Sequence, residues 1–326
     1  MKTIRWGIVG LGGIARAFAE GLGAIDDAEL VACASRSEDK TNAFAEKWNV
    51  PHAHVGYEAL ARDPDVDAVY VATAHPFHKD NTILCLENGK AVLCEKPFTV
   101  NAREAEAVIS VARAGKVFLM EAIWSRFLPH VRKAVEIIDA GTIGEVRMLQ
   151  ADFAFRSGWN PEGRLLNPAL AGGGLLDVGI YTVSLASMLF GGAPNEIRSL
   201  SHIGETGVDE QAAMLFGYDG GALAVLSCGV RVSSPHEVTI MGTEGRIRLH
   251  APWWRPSKLT LTTKDGDEPI EPPHTGNGYN YEAIEVGRCL REGLLESPIV
   301  TLDETLSIMK TLDEIRGQWG LTYPME

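Results

Sequence analysis

The sequence predicts an α/β protein: an N-terminal doubly wound parallel sheet, then an α+β domain with a large, mainly antiparallel open sheet. Three observations predict it. Short apolar runs alternate four times with helical patterns in the first part of the chain. A glycine turn, Gly10-Leu11-Gly12-Gly13-Ile14-Ala15, joins the first apolar run to the first helix. From Glu145 onward the pattern changes to strands separated by short turns, with few helices. The division is expected at 1–122, a dinucleotide-binding domain, and 123–326, a substrate and oligomerisation domain.

Ile4 to Val9 reads as a buried strand, and Ala15, Phe18, Ala19 and Leu22 share one face of the helix that follows. Strand, glycine turn and helix in that order form the context in which G-x-G-x-x-A binds a dinucleotide. Gly10 permits the tight turn, Gly12 lets the backbone approach a pyrophosphate, and Ala15 lets the helix pack close to the strand. The helix N-terminus then offers unpaired N–H groups to the phosphates. The second strand, Glu29 to Ala34, ends in Ser35-Arg36-Ser37. That is about 20 residues past the fingerprint, where an NAD binder carries an acid for the ribose hydroxyls. No carboxylate occurs before Glu38. An arginine between two serines suits a 2′-phosphate, so NADP is expected ahead of NAD.

A short helix is predicted over Asn42–Trp48, a strand over Ala53–Val55 and a helix over Tyr57–Ala61. The next buried strand, Asp67 to Ala72, empties into Thr73-Ala74-His75-Pro76-Phe77-His78 on the same sheet edge as the fingerprint, which makes Thr73, His75 and His78 candidate cofactor contacts. After a helix over Lys79–Asn88, the apolar run Ala91-Val92-Leu93-Cys94 leads straight into Glu95-Lys96-Pro97. Proline cannot donate to a ladder, so the strand ends before it, and Glu95 and Lys96 fall at the carboxyl edge, where open α/β sheets bind ligands. Asn101–Ala114 is an amphipathic helix with Asn101 as its cap, and Val117–Met120 is one more strand.

In the second part, a helix over Leu128–Ala140 precedes a long strand, Glu145–Phe155. Gly172-Gly173-Gly174 opens a helix that carries Asp177 and Tyr181 and runs to Leu189. Strands are predicted at Glu196–Ser201, Gln211–Tyr218, Ala222–Val232, Glu237–Met241, Arg246–Leu249 and Lys258–Thr263, and Glu268–Gly278 reads as a loop. Tyr281–Arg291 is helical, and Thr301-x-x-Glu304 is a capping box for a last helix to Trp319.

Composition narrows the function. The chain has 326 residues, 45% hydrophobic, 22% charged, with a formal net charge of −13. A nucleic-acid binder would need a basic face. No apolar run approaches the roughly 18–20 residues needed to span a bilayer, and the N-terminus enters a strand too early for a signal peptide. Cys33, Cys85, Cys94, Cys228 and Cys289 are odd in number and dispersed, which suggests reduced thiols in a cytoplasmic protein. His52-x-His54 and His75-x-x-His78 are the only close histidine pairs; neither has a cysteine nearby, so no metal site is expected.

Gly10-x-Gly12-x-x-Ala15, Glu95-Lys96-Pro97 and Gly172-Gly173-Gly174-x-x-Asp177-x-Gly179-x-Tyr181 together resemble the Gfo/Idh/MocA oxidoreductase family. The stretch Met120-Glu121-Ala122-Ile123-Trp124-Ser125-Arg126-Phe127 is similar to the branch holding dimeric dihydrodiol dehydrogenase and NADP-dependent D-xylose dehydrogenase. The resemblance covers nearly the whole chain. It implies that Lys96 contacts nicotinamide and substrate, that Arg36 binds the 2′-phosphate, and that Trp124 and Arg126 border the cofactor. Tyr181 is then the acid/base, Lys96 its electrostatic partner, and Asp177, four residues earlier on the same helix face, a hydrogen-bond partner of substrate or lysine. Many family members carry histidine where this chain has Tyr181, which leaves open whether Lys96 or Tyr181 moves the proton. Trp124, Phe153, Phe155 and Trp159 are candidates for an apolar wall beside a sugar ring or cyclic diol.

The expected activity is hydride transfer between NADP and a secondary alcohol or hemiacetal carbon of a sugar or cyclic diol. A non-catalytic dinucleotide sensor and an NAD-assisted glycosidase are the alternatives. The expected partner is a second copy of the chain. Ala212, Met214, Phe216 and Tyr218 alternate with Ala213 and Leu215, and Leu223 and Val225 with Ala224, Leu226, Cys228 and Val230, so both faces of these strands are apolar. Such a sheet needs cover on both sides. Helices on one face, as the resemblance implies, leave the other for a homodimer or a larger homo-oligomer.

Overall fold

The strand that feeds the glycine turn lies inside a six-stranded parallel sheet of order β3-β2-β1-β4-β5-β6. The computed structural model describes residues 2–326. In chain order the elements are β1 (Ile4–Val9), α1 (Gly13–Leu22), β2 (Ala28–Ser35), α2 (Glu38–Trp48), β3 (His52–Val55), α3 (Tyr57–Ala61), β4 (Ala68–Val71), α4 (His78–Glu87), β5 (Ala91–Glu95), α5 (Ala102–Gly115) and β6 (Leu119–Ala122). The strand order reverses between β1 and β4, which makes the carboxyl ends of those two strands the switch point of a doubly wound sheet. The central strands are buried on both faces, with Trp6, Ile8, Val69, Tyr70, Val92 and Leu93 fully inaccessible, because helices cover both sides. Asn101 caps α5 by accepting the Glu104 N–H at 2.9 Å.

The second part contains α6 (Pro129–Asp139), β7 (Val146–Ala154), α7 (Ile180–Phe190), β8 (Glu196–Ile203), β9 (Asp209–Gly217), β10 (Leu223–Gly229), β11 (Val238–Gly242), β12 (Gly245–Leu249), β13 (Leu259–Thr263) and β14 (Gly266–Ile270). They build an eight-stranded sheet of order β14-β13-β12-β11-β7-β10-β9-β8, in which only β7 and β10 pair in parallel among the described strands. The chain continues with α8 (Tyr279–Glu292) and α9 (Leu302–Trp319).

Three features differ from the sequence reading. The split is not a single cut at residue 122: one compact unit holds the residues up to Trp124 together with Thr275–Leu306, and the other holds Ser125–His274 and Ser307–Glu326. The physical reason lies in α8. Ala283, Val286 and Cys289 are buried, the Asn277 amide donates to Ala17 O at 2.8 Å, and the Leu119 N–H donates to Leu295 O at 3.1 Å. β14 occupies part of the expected loop Glu268–Gly278; its charged residues and Pro269 hide it from an apolar pattern, and they suit an edge strand. Finally, Pro168–Phe190 is long and apolar enough to cross a membrane, contrary to expectation, but 83% of its most apolar window is buried. It is the core helix of the second unit.

The eight-stranded sheet has one covered and one open face. Met214, Phe216, Ala224, Leu226, Val238, Ile240, Ile247 and Leu249 are buried. Across the same strands Leu200, Leu215, Leu223 and Val225 are 81%, 55%, 47% and 37% exposed. Leu215 and Val225 are directly opposite each other in the β9–β10 ladder, so the exposed apolar residues are contiguous.

Candidate active site

In the first unit, Gly10 has φ +89°, and a Cβ there would stand 2.8 Å from Thr73 N and 2.9 Å from Ala72 C. Only glycine allows the β1 and β4 ends to approach so closely. A Cβ at Gly12 or Gly13 would meet nothing within 4 Å. α1 therefore begins with an open approach, no side-chain cap and no acid in its first turn. Leu11 and Ile14 are half-buried and Ala15 is fully buried against the sheet. This is a cradle that fits a pyrophosphate.

At the end of β2, Ser35 turns inward. Its hydroxyl donates to Ser37 O at 2.8 Å and lies 2.8 Å from the Thr41 hydroxyl, so it shapes the turn. Ser37 caps α2, accepting the Lys40 N–H at 3.4 Å. Arg36 is exposed, its guanidinium lies 5.5 Å from the centre of the Phe77 ring, and its charge acts on the Tyr57 hydroxyl. The loop after β4 is tied to the next strand by His78. Its Nδ1 is 2.8 Å from Pro97 O and its Nε2 is 2.9 Å from Thr73 O. Burial pushes the His78 pKa down, and the two carbonyls on its ring nitrogens oppose that shift. His75 is buried beside it, the ring centroids 5.8 Å apart.

β5 ends at Glu95, and the Lys96–Pro97 peptide is cis. Tyr70 O–H donates to Glu95 Oε1, and Glu95 Oε2 accepts the Lys96 N–H at 3.1 Å, so the acid of this motif anchors the lysine's backbone. Tyr70 stacks on Phe18 at 3.8 Å, which links the anchor to α1. Three residues to which the sequence reading assigned no role complete this region. Glu121 accepts the Phe98 N–H at 2.9 Å and the Thr305 hydroxyl at 3.1 Å. Glu282 on α8 is fully buried, and burial with the Glu95 carboxylate nearby holds its carboxyl well above the usual range. Tyr279 stacks on Trp124 at 4.2 Å. None had a legible signal, since each acquires its place through distant contacts.

Burial pushes the Glu121 carboxyl up to about 8. Its unfolded value is about 4.3, so the unfolded chain releases this proton first as pH rises. The contribution to stability is fully present below the unfolded value and is lost as pH climbs through about 8. Glu121→Gln keeps an oxygen for Phe98 and an N–H for Thr305. Thermal unfolding followed by circular dichroism should show the variant gaining on the wild type between about pH 5 and pH 9. A constant gap would mean that Glu121 is already ionised in the folded protein.

In the second unit, Asp177 lies in a π-helical turn, Leu175–Gly179, that runs into α7. The wider turn alters the simple four-residue alignment with Tyr181 expected from the sequence, and such turns recur at functional sites. Asp177 is 3% exposed, and Arg164 Nη1 donates to its Oδ1 at 2.6 Å. The triple glycine has a packing cause. Gly173 has φ +119°, and a Cβ there would stand 2.1 Å from Asp209 Oδ1. Asp209 in turn accepts the Leu175 N–H at 2.6 Å, fixing the start of the helix. Tyr181 is 6% exposed, its ring 5.3 Å from Phe153. Phe153 stacks on Trp254 at 3.4 Å, with His236 at 5.9 Å. Of the expected aromatic wall, Phe155 lies 6.5 Å from Phe153, while Trp159 is 49% exposed and packs under Arg231. Trp254 and His236 were not singled out in the sequence. Arg126 is buried and donates to Ser184 O at 3.0 Å and Ser184 Oγ at 3.1 Å.

Residues 4–123 match the oxidoreductase family with an NAD-binding Rossmann fold, and residues 131–248 match the GFO/IDH/MocA C-terminal domain. The chain belongs to the Gfo/Idh/MocA oxidoreductase family. Among relatives of this oxidoreductase, trans-1,2-dihydrobenzene-1,2-diol dehydrogenase of Mus musculus is 41% identical over 99% of both chains, and that of Homo sapiens is 38% identical over 99% of both. Among solved structures, an aldose-aldose oxidoreductase from Caulobacter crescentus complexed with glycerol has a TM-score of 0.90 at 26% identity, covering 98% of each chain. A 3-ketoreductase from Actinomadura kijaniata, in complex with TDP-benzene and NADP, has a TM-score of 0.84 at 28% identity, covering 97% of each chain.

Proposed function

We propose that this Gfo/Idh/MocA oxidoreductase is an NADP-dependent, cytoplasmic enzyme transferring a hydride between nicotinamide and a secondary alcohol or hemiacetal carbon of a cyclic diol or sugar. The observation that carries the reading is the setting of Tyr181: a phenol packed against the flat Phe153–Trp254 pair, on the helix that also carries the Arg164-held carboxylate of Asp177. Flat aromatic surface with a few polar groups suits a ring bearing hydroxyls. The relatives named as dihydrodiol dehydrogenases support the diol, and the aldose-aldose oxidoreductase supports the sugar. Burial of all five cysteines, none in a disulfide, supports the compartment.

Bound NADP+ would supply the hydride acceptor at C4 of its nicotinamide. Residues 10–15 would hold the pyrophosphate, Arg36 and Ser37 the 2′-phosphate, with Ser35 shaping their turn. Tyr181 takes the hydroxyl proton as the carbonyl forms. Lys96 stabilises the charge that develops on the substrate oxygen and on the phenolate. Asp177 binds a neighbouring hydroxyl of the substrate. A panel of trans-dihydrodiols, pentoses and hexoses with NADP+, read as absorbance of the reduced cofactor, tests the reading. Turnover of at least one class is expected, and none across the panel would leave a dinucleotide sensor.

We further propose that the open sheet face pairs two copies of the chain. Leu215→Glu should convert a dimer or larger assembly into a monomer by light scattering, with the fold kept because Leu215 is already 55% exposed. A wild-type monomer at micromolar concentration would refute the pairing. Leu226, on the other face of the same sheet, is 1% exposed, so a charge there tests the core instead.

A further inference from the structure

The pair His52-x-His54 acquires a third ligand in the fold. β3 is the edge strand of the parallel sheet, and residues two apart on a strand share a face, so both imidazoles project from one side. α3 then carries the chain to Asp63, whose carboxylate is 4% exposed. His52 Nδ1 lies 2.6 Å and His54 Nε2 2.9 Å from the same oxygen, Asp63 Oδ2. The three ligand atoms lie within 4.8 Å of one another. The carboxylate is held from behind, its Oδ1 accepting the Asp65 N–H at 2.9 Å and its backbone carbonyl accepting Lys90 Nζ at 2.5 Å. The imidazoles are 35% and 24% exposed, which leaves a path from solvent.

We propose that His52, His54 and Asp63 form a binding site for one borderline divalent transition ion, of the Zn2+, Co2+ or Ni2+ class. Two imidazoles and one carboxylate suit these ions; magnesium and calcium prefer all-oxygen sets. Bonds of about 2.0–2.1 Å place tetrahedral ligand atoms about 3.3 Å apart, so small side-chain rotations open the cluster enough. When a ring nitrogen facing Asp63 takes the metal, the proton it carried moves to the remote nitrogen, with no redox change. For His52 that remote nitrogen, Nε2, faces Asp65 Oδ2 at 3.9 Å; Asp65 is itself held by Arg5 at 2.8 Å. The cluster sits on the edge strand β3, where His54 pairs with Ala34, whereas Lys96 follows β5, four strands away in the order of the sheet. The ion is therefore structural or regulatory and takes no part in hydride transfer.

The test uses the full chain, stripped with a chelator and titrated with ZnCl2 by calorimetry and with CoCl2 by visible absorbance. One ion per chain is expected. Affinity should fall at least about tenfold in His54→Ala and in Asp63→Asn, and binding should vanish in the His52→Ala/His54→Ala double variant. Unchanged thermal melting of the stripped proteins and unchanged NADPH binding would show that these variants fold. No saturable binding at sub-millimolar zinc, or undiminished binding in the double variant, would overturn the site and leave a hydrogen-bonded His–Asp–His cluster.

Discussion

Replacing Lys96 by methionine, or Tyr181 by phenylalanine, should lower turnover by roughly 10²–10⁴, the loss typical of a positioned acid–base group. Each substitution removes chemistry and keeps shape. Methionine retains most of the lysine's apolar length, and the anchoring bond from the residue 96 N–H to Glu95 Oε2 belongs to the backbone. Phenylalanine keeps the ring that packs 5.3 Å from Phe153. Both variants should therefore bind NADPH, measured by fluorescence titration, with an affinity close to that of the parent. The pair also decides which group moves the proton. Retained turnover in Tyr181→Phe, together with its loss in Lys96→Met, would assign the transfer to Lys96. Retained turnover in both would refute the proposed site.

Arg36→Ala should raise the KM for NADP+ roughly ten- to hundredfold, with little change for NAD+. A charge-assisted fork to phosphate contributes roughly 1.5–3 kcal/mol, and only the phosphorylated cofactor presents that group. The guanidinium lies over the Phe77 ring at the sheet edge, 5.5 Å from its centre. Steady-state kinetics with both cofactors is the measurement. A wild-type preference for NAD+, or equal weakening of both cofactors, would remove Arg36 from this role and with it the NADP assignment.

Much of the architecture is written locally. The period of the apolar runs places β1, β2, β4 and β5, and Pro97 stops β5 at Glu95. The requirement for glycine at position 10 also follows from its neighbours in sequence, although its cause, the approach of Thr73 N, is a tertiary contact. By contrast β14 went unread, because an edge strand of Gly-Asp-Glu-Pro-Ile has no buried face to impose alternation. Glu282 and Tyr279 also went unread, because α8 joins the first unit from beyond the whole stretch Ser125–His274.

The sequence by itself determined the class of fold, the family and the residues at the carboxyl edge of the first sheet. These depend on hydrophobic period, on glycine and proline stereochemistry and on short motifs, all of which act within a few residues. Only the tertiary structure decided which apolar face of the second sheet is buried. Both faces of β9 and β10 are apolar in sequence, and the choice depends on where the helices pack, which leaves Leu226 inside and Leu215 outside. The structure alone also set Asp63 between His52 and His54 and Arg164 on Asp177. A pairing between side chains on separate elements has no periodicity to betray it; it arises when strand register and helix packing bring the two together.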